Sequence, residues 1–370
     1  MANVIARHRA AAARDLAAPV LFIVALKLLI FVVAAVLREG EALPALWQQW
    51  DAHWYSLIAE DGYVAEGEAR YAIAFFPLYP LAIRLLTPLV GDAFWAALLL
   101  SNVASVAGLL LFYRLARLEF SASVAWWALL ALLLWPTAYF FNAPYTEGLF
   151  LLLSVGAFVA ARRSSWLLAG VLGGLAALTR VTGVLLLPAL AVEFYLQQRE
   201  RGERRYALAW PLALIGLGFG IYLLINYQVF GDPFAFLDAQ REKWYRSFAW
   251  PGAALASRWR DIGLPPWTEY NVMQGLAEFS AGAVLIAAMI WSVLRLRWSY
   301  ALYVVLVTGA ILSSSWIMST PRLALSAWPI FFLFGQLLVR RPGYRLVWLG
   351  TSVALLLTLT ARYVQGQWAF

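Results

Sequence analysis

From Leu16 to Leu37 the chain runs 22 residues with a single charge, Lys27. A helix that crosses a bilayer needs about 20 mainly apolar residues, because no water is present to satisfy its backbone. A secretory signal core is shorter, about 7–15 residues, and small cleavable residues follow it. Neither condition holds here, so the segment reads as a first membrane helix behind Arg7, Arg9 and Arg14. Composition extends the argument to the whole chain. Of 370 residues, 63% are apolar and 13% charged, where soluble domains carry roughly 25% charge. That excludes both a water-soluble globule and a disordered chain, which needs low hydrophobicity and high charge. With no cysteine and only His8 and His53, disulfides, thiol catalysis and Cys/His metal sites are excluded too.

The same length criterion predicts ten further spans near 93–113, 120–140, 144–161, 165–179, 181–197, 206–230, 274–294, 298–316, 322–339 and 344–362. The fold class is therefore an all-α polytopic membrane protein of about eleven transmembrane helices, one integral-membrane domain over 1–370. An odd number of spans with the N-terminus in the cytoplasm places 16 of the 28 basic residues in cytoplasmic ends, among them Arg114, Arg117, Arg162, Arg163, Arg295, Arg297, Arg340 and Arg341. Fifteen of the 20 acids then lie outside. This is the bias of the positive-inside rule, so the net charge of +8 reports topology in the cell membrane and no nucleic-acid partner. The apolar segment 76–91 holds three prolines and a central Arg84; counting it as a span would invert every later loop, so it is expected to be re-entrant or interfacial.

Two outer loops are long, 38–92 and 231–273. Loops of this size are usually functional or disordered, and these are too aromatic for disorder: the second alone holds Trp244, Trp250, Trp259 and Trp267. Both are expected to form amphipathic helices on the outer face, the first catalytic and the second substrate-binding. An acid among aromatics beside a membrane, Asp51 within Trp50-Asp51-Ala52-His53-Trp54-Tyr55, is a costly placement unless it is paired or functional. Two readings stay open from the residues alone, a general base toward a hydroxyl and an N-cap of the helix that follows.

The set Trp50-Asp51-x-x-Trp54-Tyr55, Ile58-Ala59-x-x-Gly62-Tyr63 and Phe75-Phe76-Pro77-Leu78-Tyr79-Pro80 resembles the first luminal loop of the PIG-V family of mannosyltransferases. The likeness continues in order through Pro144-Tyr145-Thr146-Glu147-Gly148, Thr179-Arg180-x-x-Gly183, Phe230-Gly231-Asp232-Pro233, Gln240 to Trp244 and Pro321-Arg322. That family belongs to the GT-C class of membrane glycosyltransferases. The resemblance implies a GT-C-like fold and an inverting transfer of a sugar, mannose in the family, from a polyprenyl-phosphate donor. The acceptor would be a glycan, glycolipid or protein hydroxyl at the extracytoplasmic face.

The resemblance makes Asp51 the general base. Arg180 and Arg322, near predicted helix ends, become the partners of the donor phosphate, with Arg241, Lys243 and Arg246 as competitors. Trp50, His53, Tyr55, Tyr79, Tyr145, Glu147, Gln240, Trp244 and Arg246 are the expected substrate-binding residues. Glu147 either orients an arginine or meets the helix dipole. Lys27 neutralises a buried acid, snorkels, or faces a lipid-phosphate cavity. No cofactor is expected, and no metal, although Asp51, Glu60 and Asp61 carry oxygen ligands. A lipid-linked substrate transporter or flippase, or a glycolipid-binding protein without activity, is the alternative.

Overall fold

The computed structural model describes residues 2–38 and 40–370, with side chains from Leu16 onward; Arg7, His8, Arg9, Arg14 and Asp15 lie outside the described side chains. Seventeen α-helices follow in chain order. The outer helix α1 (Ala2–Leu37) is followed by the first loop, which holds α2 (Leu43–Trp47), α3 (Ala52–Asp61) and α4 (Leu78–Val90). Next come α5 (Ala93–Glu119), α6 (Ala122–Leu133), α7 (Glu147–Arg162), α8 (Trp166–Ala177), α9 (Leu186–Arg201) and α10 (Ala213–Phe230). The second loop carries α11 (Ala235–Trp244) and α12 (Ala253–Ile262). The chain then closes through α13 (Glu278–Arg295), α14 (Trp298–Leu312), α15 (Thr320–Leu323), α16 (Ile330–Arg340) and α17 (Arg345–Val364).

Every expected span coincides with helix, but the expected count of eleven is not confirmed by helix length. Among the described residues six helices are long and apolar enough to cross a bilayer, or eight if the two bent pairs are each one span. The helices α6, α8 and α14 have 12, 12 and 15 residues. At 1.5 Å per residue they reach only about 18–22 Å of a hydrocarbon core near 30 Å. Hydropathy does not see where an apolar run breaks. Pro136 and Pro144 interrupt the stretch between α6 and α7, and its backbone turns are buried inside the bundle, which is the setting where irregular backbone is tolerated at membrane depth. Segment 76–91 forms α4, 13 residues long and bent 110° from the 3-10 helix Glu68–Ala74. Leu81, Leu85 and Leu89 form an exposed apolar stripe along it.

On α1 the exposed residues Leu21, Leu28, Val32 and Val36 are all apolar. A face of this kind suits lipid and not water, and the chain is an integral membrane protein. The interior is aromatic: Trp328 sits between Phe112, Phe158, Tyr300 and Phe332.

Helix α7 relates the two ends of the bundle. Its first residue, Glu147, belongs to the cavity described below. Its last, Arg162, donates to Glu119 (2.6 Å) and to Glu193 (3.0 Å). Arg297 donates to the second oxygen of Glu193 at 2.7 Å and to Glu200 at 2.7 Å, and Tyr300 donates to Glu119 at 2.9 Å. This knot ties the ends of α5, α7, α9 and α14 together, about 23 Å along α7 from Glu147.

Candidate active site

The first loop turns into α3 at Trp50, whose φ of +52° lies in the left-handed region. Non-glycine residues seldom occupy that region, and they concentrate at functional sites. Asp51 follows in helical conformation and makes no cap hydrogen bond with its side chain. The capping alternative is therefore set aside. Its Oδ2 accepts a hydrogen bond from Arg322 Nη1 at 3.0 Å. The backbone just ahead is pinned by Tyr145, whose hydroxyl donates to the Gln49 carbonyl at 2.7 Å.

Glu147 opens α7, where the helix dipole favours an acid. Its Oε1 accepts from Arg322 Nε at 2.6 Å and from Arg180 Nη1 at 2.6 Å, while Oε2 is buried without a partner. Gly148 allows this placement, since a Cβ there would lie 2.6 Å from the Ser101 carbonyl. Arg180 is extended between α8 and a 3-10 turn and also donates to Thr146 Oγ1 at 3.1 Å. The Thr-Arg-x-x-Gly spacing has a steric reason: Gly183 packs on the end of α8, and a Cβ would come within 2.3 Å of Ala176. The Arg322 guanidinium lies 4.5 Å from the Tyr145 ring centre and 4.6 Å from that of Phe140, a cation–π setting that holds the fork in place.

Arg246 differs from the other two arginines. It follows Tyr245, another left-handed residue with φ +55°, and its Nη2 donates to the Met318 carbonyl at 2.7 Å. Its Nε is buried without a partner. Among the described residues it pairs with no carboxylate. Burial pushes its pKa below the ordinary value, with Asp51 acting in the opposite sense. A short antiparallel stitch between 247–249 and 313–315 holds this stretch against the end of α14.

Asp51, Arg180, Arg246 and Arg322 line a cavity of about 510 Å³. Of the expected residues, Trp50, Asp51, Tyr55, Arg180, Gln240, Trp244, Arg246 and Arg322 line it. Four are placed elsewhere. His53 is exposed and its ring lies tilted against Trp54 at 5.9 Å. Tyr79 and Tyr145 are buried, and their hydroxyls serve the Ala97 and Gln49 carbonyls. Glu147 sits behind the wall and joins two of its arginines. Burial pushes the Tyr55 hydroxyl up to about 12, so it stays protonated. Lys243, also in the wall, pairs with Glu68, and Arg241 pairs with Asp238 outside it. Glu60 and Asp61 close α3, roughly 13–15 Å from Asp51 along the helix, and do not share a metal site with it. Among the described residues no three His, Cys, Asp or Glu side chains gather as a metal site would require.

Among the described residues Lys27 has no acid partner. Its ammonium donates to Ser105 Oγ (2.9 Å), the Phe141 carbonyl (2.6 Å) and Asn142 Oδ1 (3.4 Å), and Asn142 donates back to its carbonyl. It satisfies the broken backbone ahead of Glu147.

Two parts of the site went unread in the sequence. Glu278, buried at the start of α13, accepts from the backbone N–H groups of Ser319 (2.5 Å) and Thr320 (2.8 Å). It thereby fixes the turn at left-handed Ser319 (φ +66°) that leads into Arg322. The available signal was its position inside the span 274–294, where an acid is costly unless it is used. The other part is the segment after α17, which brings Trp368 and Phe370 to the cavity wall and carries no charge pattern to mark it.

Fold and site together define a polytopic helical membrane protein with a charged, aromatic-walled cavity at one end of its bundle. Residues 76–227 match the model of the dolichyl-phosphate-mannose-protein mannosyltransferase family. Over 173 residues the chain is 34% identical to GPI alpha-1,6-mannosyltransferase 2 of Rattus norvegicus, which covers 44% of this chain and 33% of that protein. The chain thus matches about a third of the length of that curated relative. Among solved structures, it is similar to ArnT from Cupriavidus metallidurans bound to undecaprenyl phosphate, with a TM-score of 0.43 and 18% identity over 94% of this chain and 77% of that one. The mannosyltransferase resemblance read from the motifs is thus borne out as a likeness, and the family match falls in the segment holding Tyr79, Tyr145, Glu147 and Arg180. Asp51, Arg246 and Arg322 lie outside that segment.

Proposed function

We propose that the protein is a GT-C-type inverting glycosyltransferase. It transfers a sugar, mannose by the family match, from a polyprenyl-phosphate carrier to an acceptor hydroxyl. The observation that carries this reading is the Asp51–Arg322 pair in the cavity wall, with the unneutralised Arg246 beside it. Asp51 takes the proton of the acceptor hydroxyl as that oxygen attacks C1 of the sugar. The bond from C1 to the phosphate oxygen breaks with inversion, and the electron pair leaves on the lipid phosphate. Three guanidinium groups then face that charge, and preorganised positive groups of this kind stabilise a leaving anion. Arg180 and Arg322 share Glu147, so Arg246 brings the larger uncompensated charge to the phosphate.

The arginine-rich ends of the spans support a cytoplasmic N-terminus and an extracytoplasmic cavity. The lipid stays in the bilayer while its sugar enters the aromatic-walled space. The acceptor is a glycan, glycolipid or protein. The reaction is proposed to be metal-independent, because a monophosphate leaving group has no pyrophosphate to chelate; full activity in EDTA is expected, and loss restored by magnesium or manganese would overturn that part.

The test is transfer from radiolabelled polyprenyl-phosphate-mannose by purified protein, wild type beside Asp51→Asn. A general base contributes about 10²–10⁴-fold, so a folded Asp51→Asn protein should lose turnover by that order. Near wild-type turnover would remove Asp51 from the mechanism. Movement of labelled lipid across the bilayer without transfer would favour a flippase instead.

A further inference from the structure

We infer that the segment after α17 forms a sugar subsite, in which Trp368 and Trp50 hold a neutral pyranoside ring, that of the acceptor, against Asp51. The assignment of this ring to an acceptor rests on the glycosyl-transfer reading. The binding site itself rests on geometry.

The segment is held by the bundle. Arg362 Nε donates to the Trp368 carbonyl at 2.9 Å, and the Tyr139 hydroxyl donates to the Ala369 carbonyl. The Gln367 N–H returns to the Arg362 carbonyl at 2.9 Å. This brings the Trp368 ring to 5.6 Å from Trp50, at an interplanar angle of 78°. Both indoles line the cavity, and Trp50 remains 48% exposed.

The second aromatic wall is different. Trp54 stacks face to face on Phe75 at 5.9 Å, and Trp244 meets both edge to face at 5.6–6.2 Å, so this wall is closed on itself by three mutual contacts. Trp50 and Trp368 meet edge to face, which leaves an indole face for a ligand.

Three features select the ligand. The pair adjoins Asp51, whose Oδ2 takes Arg322 and whose Oδ1 remains to accept from a hydroxyl. A carboxylate disfavours an anion, so the phosphate belongs with Arg246 and the ring beside Trp50 is neutral. Trp368 Nε1 is buried with no acceptor among the described residues, so an oxygen-bearing ligand that displaces its cover would satisfy it and an alkyl chain would not. A pyranoside presents an apolar C–H face and hydroxyl oxygens together, which suits an indole pair next to a carboxylate.

The experiment measures binding by calorimetry in nanodiscs, using the methyl α-pyranosides of mannose, glucose and galactose as sugar probes and farnesyl phosphate as the lipid-anion probe. Trp368→Ala should weaken the best pyranoside roughly three- to tenfold, the range of a lost aromatic contact, and leave farnesyl phosphate within about twofold. Trp368→Phe, which keeps the packing of the segment, should fall between wild type and Trp368→Ala. Unchanged pyranoside binding, a loss confined to farnesyl phosphate, or no pyranoside bound by wild type would each overturn the subsite. A loss of pyranoside binding in Trp368→Ala, alongside a wild type that transfers no sugar from polyprenyl-phosphate-mannose, would keep the subsite and remove the proposed reaction.

Discussion

Arg322 Nη1 lies 3.0 Å from Asp51 Oδ2 while its Nε lies 2.6 Å from Glu147 Oε1. One planar fork therefore joins a carboxylate in the first long loop to another at the start of α7. Lysine has a single ammonium and no fork, so Arg322→Lys is not conservative here. Losing one charge-assisted hydrogen bond should cost about 1.5–3 kcal/mol, a ten- to hundredfold fall in kcat/KM for the donor. Wild-type efficiency in Arg322→Lys would show that the fork is not needed.

Glu147 tests the pairing from the other side. Its side chain is 2% exposed and faces two arginines. Breaking such a buried cluster by removing one charge costs about 3–5 kcal/mol, because the remaining charges stay buried and unpaired. Glu147→Gln should show that loss in unfolding experiments. Adding Arg180→Gln should recover part of it, since the uncompensated charge goes too. A purely additive double variant would mean the groups are not coupled.

Arg246 makes no ion pair among the described residues, and its removal leaves no carboxylate unpaired. Arg246→Ala, which costs the Met318 carbonyl its donor, is expected to lower stability by less than Glu147→Gln does and to raise the donor KM by roughly ten- to hundredfold. Stability loss with an unchanged donor KM would assign it to the scaffold instead.

Asp51 stood out in the sequence because charge beside a membrane is expensive, Arg180, Glu147 and Arg322 because they sit in the motifs of the resemblance, and the structure brings the four into one cluster. His53 was misplaced for a geometric reason. Residues two apart on a helix lie about 200° apart, so at the start of α3 an Asp51 facing the cavity turns His53 to solvent. Tyr79 and Tyr145 carry motif positions, but the bundle consumes their hydroxyls. The number of spans stays unconfirmed because Pro136 breaks the expected span 120–140 and leaves α6 at 12 residues, while α8 and α14 are also short of a full crossing. Trp368 left no trace, because its role depends on a return of the chain that no periodicity records.

The first and second loops are clasped where Lys243 donates to Glu68 at 2.7 Å. That hydrogen bond holds the Glu68 carboxyl below its ordinary value and the Lys243 ammonium above its own. The sign follows for each. The Glu68 contribution is present above its ordinary pKa and is lost as pH falls through the depressed one. The Lys243 contribution is present below its ordinary pKa and is lost as pH rises through the elevated one. Between about pH 5.5 and 9 neither group titrates. The ratio of wild-type to Lys243→Gln activity should be flat across that window and shrink with added salt, as exposed pairs are screened. A ratio that changes near neutral pH would point to another group.

Glu278 grips the turn that leads into Arg322 and does not touch the arginine itself. Its two oxygens hold the N–H groups of Ser319 and Thr320, and Trp135 Nε1 and Thr137 Oγ1 hold the Pro321 carbonyl at 2.7 and 2.9 Å. The turn is thus gripped on both sides immediately before the arginine. Glu278→Ala leaves two buried donors without acceptors, at about 1–3 kcal/mol each, and is expected to destabilise the whole protein. Glu278→Gln is the sharper probe, since it keeps the volume and one acceptor oxygen. If the carboxylate positions Arg322, Glu278→Gln should fold, lower kcat about tenfold with a raised donor KM, and leave pyranoside binding as in wild type, because displacement of a reacting group by about 1 Å can cost up to 10² in rate. A Glu278→Gln protein with reduced stability and unchanged kinetics would make the residue a clamp for the fold alone.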